Sequence, residues 1–107
     1  VTLDDKYRQL HGPVFMTGMQ ALVRLALEQR RADVAAGHNT AGFISGYRGS
    51  PMGGFDRELW RAQKFLDEYH LKFQPGVNEE IAAPALWVSQ QVGLFPGPRY
   101  DGVFGMW

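Results

Sequence analysis

With 107 residues, 45% of them apolar, the chain is long enough for one small domain with a single core and too apolar for disorder. Eleven basic and eleven acidic side chains leave no formal net charge, and this removes the sequence-independent attraction to nucleic acid and to anionic membranes. The absence of cysteine excludes disulfides, thiolate catalysis, zinc-finger sites and iron–sulfur ligation within this segment, and it accords with a reducing, cytoplasmic setting.

No apolar run approaches the roughly 20 residues that span a bilayer, and residues 1–10 do not read as a signal peptide. The sequence lacks an initiator Met and stops inside the apolar stretch Gly105-Met106-Trp107, so it is expected to be a piece of a longer protein, cut at least at its C-terminal end. Residues 1–12 are polar and read as an extended lead-in to a domain over residues 13–107. Pro13-Val14-Phe15-Met16 is a short apolar segment ahead of Thr17-Gly18. Met19 to Ala35 has helical periodicity: Leu22, Leu25, Ala26 and Gln29 share one face, which Val23 and Leu27 widen. Thr17 as N-cap with Gln20 makes a weak capping box, and Gly37 is a natural stop.

Thr40 to Ser45 reads as a buried strand. Phe55 to Tyr69 reads as a second helix, with Phe55, Leu59, Ala62, Phe65, Leu66 and Tyr69 at helical spacing. Leu71 to Gln74 is a short strand ended by Pro75-Gly76. Asn78 caps a third helix running to about Val92, and Asp101 to Trp107 reads as a third strand. Helices alternating with strands predict an α/β fold, a parallel sheet with flanking helices.

Two loops carry candidate chemistry. Gly42 to Gly54 runs from the first strand through five glycines and a proline into the second helix. Such strand-to-helix turns line the crevice where open α/β sheets bind ligands. The loop matches neither G-x-x-x-x-G-K-[ST] nor G-x-G-x-x-G. A tight turn is the plain alternative, and Tyr47, Arg48 and Ser50 favour binding by placing a phenol, a guanidinium and a hydroxyl in one short loop.

The second candidate is Asn78-Glu79-Glu80, where two carboxylates open a helix. Complementing the helix dipole with solvated acids is the plain reading. The helix continues with small residues on two faces (Ala82, Ala83, Ala85, Ser89, Gly93), which predicts burial on both sides and a partly desolvated carboxylate with a raised pKa. His11, His38 and His70 stand apart from one another, without metal-ligand spacing, and read as surface or capping residues. No G-x-S-x-G elbow surrounds Ser45, Ser50 or Ser89. Trp60 and Trp87 read as core or interface residues of their helices.

At these two loops the sequence resembles a known family, the indolepyruvate ferredoxin oxidoreductases, within the thiamine-diphosphate-dependent 2-oxoacid ferredoxin oxidoreductases. Val14 to Arg24 is similar to the family's opening strand and helix. Tyr47-Arg48-Gly49-Ser50-Pro51 is similar to its Tyr-Pro-Gly-Thr-Pro segment, and Asn78-Glu79-Glu80 to its Asn-Glu-Lys segment. Gln90-Gln91-Val92-Gly93 and the strand at 101–107 resemble the family's segments C-terminal to that glutamate. The likeness covers nearly the whole chain, with the elements in order, and is closest to long, fused members that open with a similar Leu3-Asp4-Asp5-Lys6-Tyr7.

The resemblance implies a truncated thiamine-diphosphate fold, most of a pyrimidine-binding domain. In such domains a helix-opening glutamate hydrogen-bonds the aminopyrimidine and promotes removal of the thiazolium C2 proton, after which the cofactor is the electron sink for decarboxylation. Glu79 takes that position, with Glu80 the alternative one register away. Tyr47, Gly49, Ser50 and Pro51 fall where the family contacts cofactor, Ser50 standing for its threonine. Arg48 replaces the family's common proline and offers a cation for a substrate carboxylate. The diphosphate and its Mg²⁺, the iron–sulfur clusters and the CoA site are implied to lie elsewhere in the parent enzyme, so the segment alone is expected to be inactive. Other domains or subunits, ferredoxin, a 2-oxoacid (indolepyruvate or a similar aryl or branched-chain acid) and a second copy are the implied partners, with neither nucleic acid nor membrane. The rival reading is a non-catalytic α/β interface or binding domain of a larger complex. A small nucleotide-binding domain is disfavoured by the missing phosphate motif.

Overall fold

The computed structural model describes residues 3–47, 53–94 and 96–107. Helix α1 (Asp5–Arg8) precedes α2 (Gly18–Ala35), β1 (Thr40–Ile44), α3 (Gly53–Arg61), α4 (Gln63–Glu68), β2 (Leu71–Phe73), α5 (Glu79–Ser89), a 3₁₀ turn at Val92–Leu94 and β3 (Gly102–Met106). The three strands form one parallel sheet in the order β2-β1-β3. The α/β architecture with a flanked parallel sheet is as expected from the element order. Register pairs Ile44 with both Phe73 and Met106, so the strands end together.

Alternation along the strands divides the sheet into two unequal faces. Ile44, Leu71 and Phe73, with Phe104 and Met106 packed beside them, meet Val23, Ala26, Leu27, Leu59, Ala62, Phe65 and Leu66 in one core. That face is covered by α2, α3 and α4. The opposite face carries Gly105, at which an added Cβ would lie 2.9 Å from Leu86, so α5 lies close against the sheet there. Gly42, central in β1, has no room for a methyl either, because Leu71 and Phe104 close over it at 2.5 and 2.7 Å.

Local chemistry accounts for most of the boundaries. Thr17 Oγ1 accepts from the Gln20 amide, and the Gln20 side chain accepts from the Thr17 amide, a full capping box that starts α2. Asn78 Oδ1 accepts from the Ile81 amide at 3.0 Å and starts α5. Arg30, 8% exposed, donates to Asn39 Oδ1 and to the Thr40 carbonyl, fastening α2 to the head of β1.

Four expectations change. Residues 3–12 are not an extended lead-in: α1 seats Tyr7, 3% exposed, in the core against Phe65 with ring centroids 5.3 Å apart. Its carbonyl ends are taken by arginines of α2, Arg24 on Lys6 and Gln9 and Arg31 on Tyr7. The opening strand that the resemblance implies from Val14 is not formed, and Phe15 is 97% exposed. The helix expected over Phe55–Tyr69 is broken at Ala62, where the Phe65 amide bonds to the Ala62 carbonyl and tightens the turn. Leu59, Ala62, Phe65 and Leu66 all reach the core across the break. Finally, α5 is not buried on both sides. Ala82 is its buried residue, whereas Ile81, Trp87 and Val88 are exposed, because α5 meets the sheet through one side. Pro84 lies inside this helix. Trp60 is also half exposed, its edge on Phe73.

Candidate functional site

The carboxyl ends of β1 and β2 are adjacent, and their continuations diverge. The chain leaving β1 enters α3 on the core face, whereas the chain leaving β2 enters α5 on the opposite face. Adjacent strands whose connections part to opposite faces create the crevice in which open α/β sheets hold ligands.

Hydrogen bonds tie the two strand ends across this crevice. The Gln74 amide donates to the Ile44 carbonyl at 3.0 Å, and the Gly76 amide donates to the Gly46 carbonyl at 2.7 Å. Tyr47 and Gly76 extend the parallel pairing by one isolated bridge. Ser45, 5% exposed, donates its hydroxyl to the Gln74 carbonyl at 2.9 Å, and its amide donates to the Met106 carbonyl. Its hydroxyl is thus engaged in holding the strand ends together.

On this base stand two of the residues singled out from sequence. Tyr47 Oη donates to Glu79 Oε1 at 2.5 Å, across 32 positions of chain. Tyr47 is partly buried, and Glu79 is exposed, as is Glu80 beside it. The expected desolvation of Glu79 is therefore not found, because α5 presents its first turn to solvent instead of being enclosed. The hydrogen bond to Glu79, then lost hydration, then the negative charge of Glu79 hold the Tyr47 pKa above its usual 10.0. The bonded phenol takes Glu79 Oε1, and the exposed carboxylate keeps acceptor capacity for a ligand N–H.

Arg48, Gly49, Ser50 and Pro51 lie outside the described residues, so the remaining expectations for the glycine loop concern a segment without a structural account. The His70 side chain has a partner among the described residues: its Nδ1 is 2.9 Å from the Tyr100 hydroxyl, and its backbone takes a left-handed φ of 59°. The pair borders a groove of about 580 Å³ with apolar walls that include Phe43, Val88 and Val103. His70 and Tyr100 precede β2 and β3, so the groove opens toward the amino ends of the strands, away from Glu79. Among the described residues no group of three or more His, Cys, Asp and Glu side chains is placed to hold a metal ion, and no helix is long and apolar enough to cross a membrane.

Sequence reasoning picked out Tyr47 and Glu79 on separate grounds but did not pair them. Their contact depends on the register of β1 against β2, which no local pattern encodes. The nearest signal is Gly76, whose lack of a side chain lets α5 descend on the bridge: an added Cβ would lie 2.7 Å from that of Ala82. No family model, curated protein or solved structure matches the chain.

Proposed function

We propose that this chain supplies the pyrimidine side of a thiamine-diphosphate site, in an enzyme that oxidatively decarboxylates an aryl or branched-chain 2-oxoacid, such as indolepyruvate, to an acyl-CoA and passes the electrons to ferredoxin. The observation that carries the reading is the accessible carboxylate of Glu79, in the first turn of α5 beside the β1–β2 crevice, with Tyr47 on Oε1. The residues present fit the group: an exposed, oriented carboxylate suits the ring nitrogen of an aminopyrimidine. When bound, thiamine diphosphate supplies the electron sink for decarboxylation. Glu79 holds and moves the proton at that nitrogen, while the paired ends of β1 and β2 keep its helix in place. Arg48 and Ser50, in the loop after β1, are proposed for the substrate carboxylate and carbonyl. The diphosphate and Mg²⁺ are proposed to be held by another domain or subunit, and the reaction to run in the cytoplasm.

The test uses the complete protein that contains this chain. Calorimetry should detect thiamine diphosphate binding in the presence of Mg²⁺, and Glu79→Gln should lower turnover by about 10²- to 10⁴-fold. Near-normal turnover in Glu79→Gln would remove Glu79 from the chemistry. A second reading, an interface domain without chemistry, is favoured by the exposed Ile81, Trp87 and Val88 of α5. Absence of cofactor binding by the complete protein would select it.

A further inference from the structure

We infer that Tyr47 is a positioning residue for Glu79 and not itself a cofactor contact: its hydroxyl holds Oε1 so that the other carboxylate oxygen faces the ligand. The inference rests on the reading of Glu79 as the acid, and it revises the part that the family resemblance implies for Tyr47.

Both partners stand on fixed backbone. Tyr47 is bridged to Gly76, whose amide donates to the Gly46 carbonyl at 2.7 Å. Glu79 lies three residues beyond that bridge, in a turn fixed by the Asn78 side chain on the Ile81 amide and by the Ala82 amide on the Asn78 carbonyl at 3.0 Å. Gly76 against Ala82 then sets the distance between bridge and helix. A glutamate on an exposed first turn would otherwise sample several rotamers. A phenol on a short, two-torsion side chain anchored at the bridge selects one of them, at 2.5 Å. The phenol stays protonated through the neutral range and remains a donor there. Glu80, next on α5, is the other carboxylate of that turn and is kept in both Tyr47→Phe and Glu79→Gln.

The test is Tyr47→Phe in the complete protein, which keeps the ring and the backbone bridge and removes the donor. Turnover should fall about 10- to 100-fold with the KM for the 2-oxoacid changed by less than about 3-fold, as expected when a reacting group is misplaced but substrate contacts survive. A parallel arm needs no cofactor. With ¹³C-labelled glutamate, the carboxyl signal lost in Glu79→Gln identifies Glu79, and its chemical shift should move in Tyr47→Phe. An unchanged signal overturns the pairing, and an unchanged turnover overturns the positioning. Failure of the unaltered protein to bind thiamine diphosphate, with the signal still moving, would instead defeat the proposed function and leave the pairing intact.

Discussion

Gly76 and Ala82 approach so closely that a methyl on the glycine would lie 2.7 Å from the alanine Cβ and 3.1 Å from its Cα and amide nitrogen. The second of these neighbours is backbone, so the contact cannot be relieved by turning a side chain. Gly76→Ala is expected to lower stability by about 1–3 kcal/mol and to part Tyr47 from Glu79. Urea denaturation measures the first effect, and the ¹³C carboxyl chemical shift of Glu79 measures the second. Adding Ala82→Gly should recover part of the pairing signal, although a glycine within α5 itself costs about 1 kcal/mol.

Tyr7 makes a different prediction, because its ring is buried while its hydroxyl has no hydrogen-bond partner among the described residues. Tyr7→Phe keeps the contact with Phe65 and removes an unsatisfied polar atom. It should leave stability unchanged or raise it by about 1 kcal/mol. Tyr7→Ala removes the ring and should cost about 3–5 kcal/mol, as for other large aromatic truncations. Denaturant midpoints for the two variants check the contrast.

Two tyrosines give stability an alkaline dependence with a defined sign. Burial, followed by the negative charge of Glu58, pushes the Tyr7 phenol to about 12. The bond to Glu79 holds the Tyr47 phenol above 10.0. For each, the folded pKa lies above the unfolded one, so the contribution is complete below pH 10 and is lost as pH rises through the folded value. Phenolate absorbance should show Tyr47 titrating nearer 10.0 in Glu79→Gln, with the Tyr7 step near pH 12 unmoved. Removal of the Tyr47 step by Tyr47→Phe assigns it.

Arg30 joins α2 to the sheet through a fork on Asn39 and Thr40. Arg30→Met leaves those acceptors without donors in a part-buried place and should cost about 1–3 kcal/mol. Arg30→Lys should recover only part of this, because a point charge cannot reach both acceptors in one plane. Thermal unfolding of the two variants would rank them.

The regular elements were legible where local chemistry decides them. Leu22, Val23, Ala26 and Leu27 announce α2, Thr17 and Asn78 announce helix starts, and Gly37 announces a stop. Loop chemistry singled out Glu79 and Tyr47 separately, and the structure places them in hydrogen-bond contact. What stayed hidden depends on distant packing. Tyr7 sits in a polar segment and enters the core against Phe65, on a helix whose carbonyls are held by Arg24 and Arg31, far along the chain. The break at Ala62 has no Gly or Pro to mark it, and Leu59 and Phe65 on either side of it share one core. The small residues of α5 signal close approach, which Leu86 makes at Gly105, but they do not reveal that Trp87 and Val88 face outward.

Pro84 gives the carboxylate-bearing end of α5 a mechanical character of its own. A proline has no amide proton, so the carbonyl of Glu80, four residues earlier, receives no helical bond from that position. The opening turn is therefore joined to the rest of its helix by one hydrogen bond fewer, while the Asn78 cap closes it from within and the Tyr47 phenol moors it to the end of β1. Strain applied along α5 from its far end would be shed at this joint before it reached Glu79, and the acid's bearing is inherited from the sheet instead of the helix that carries it.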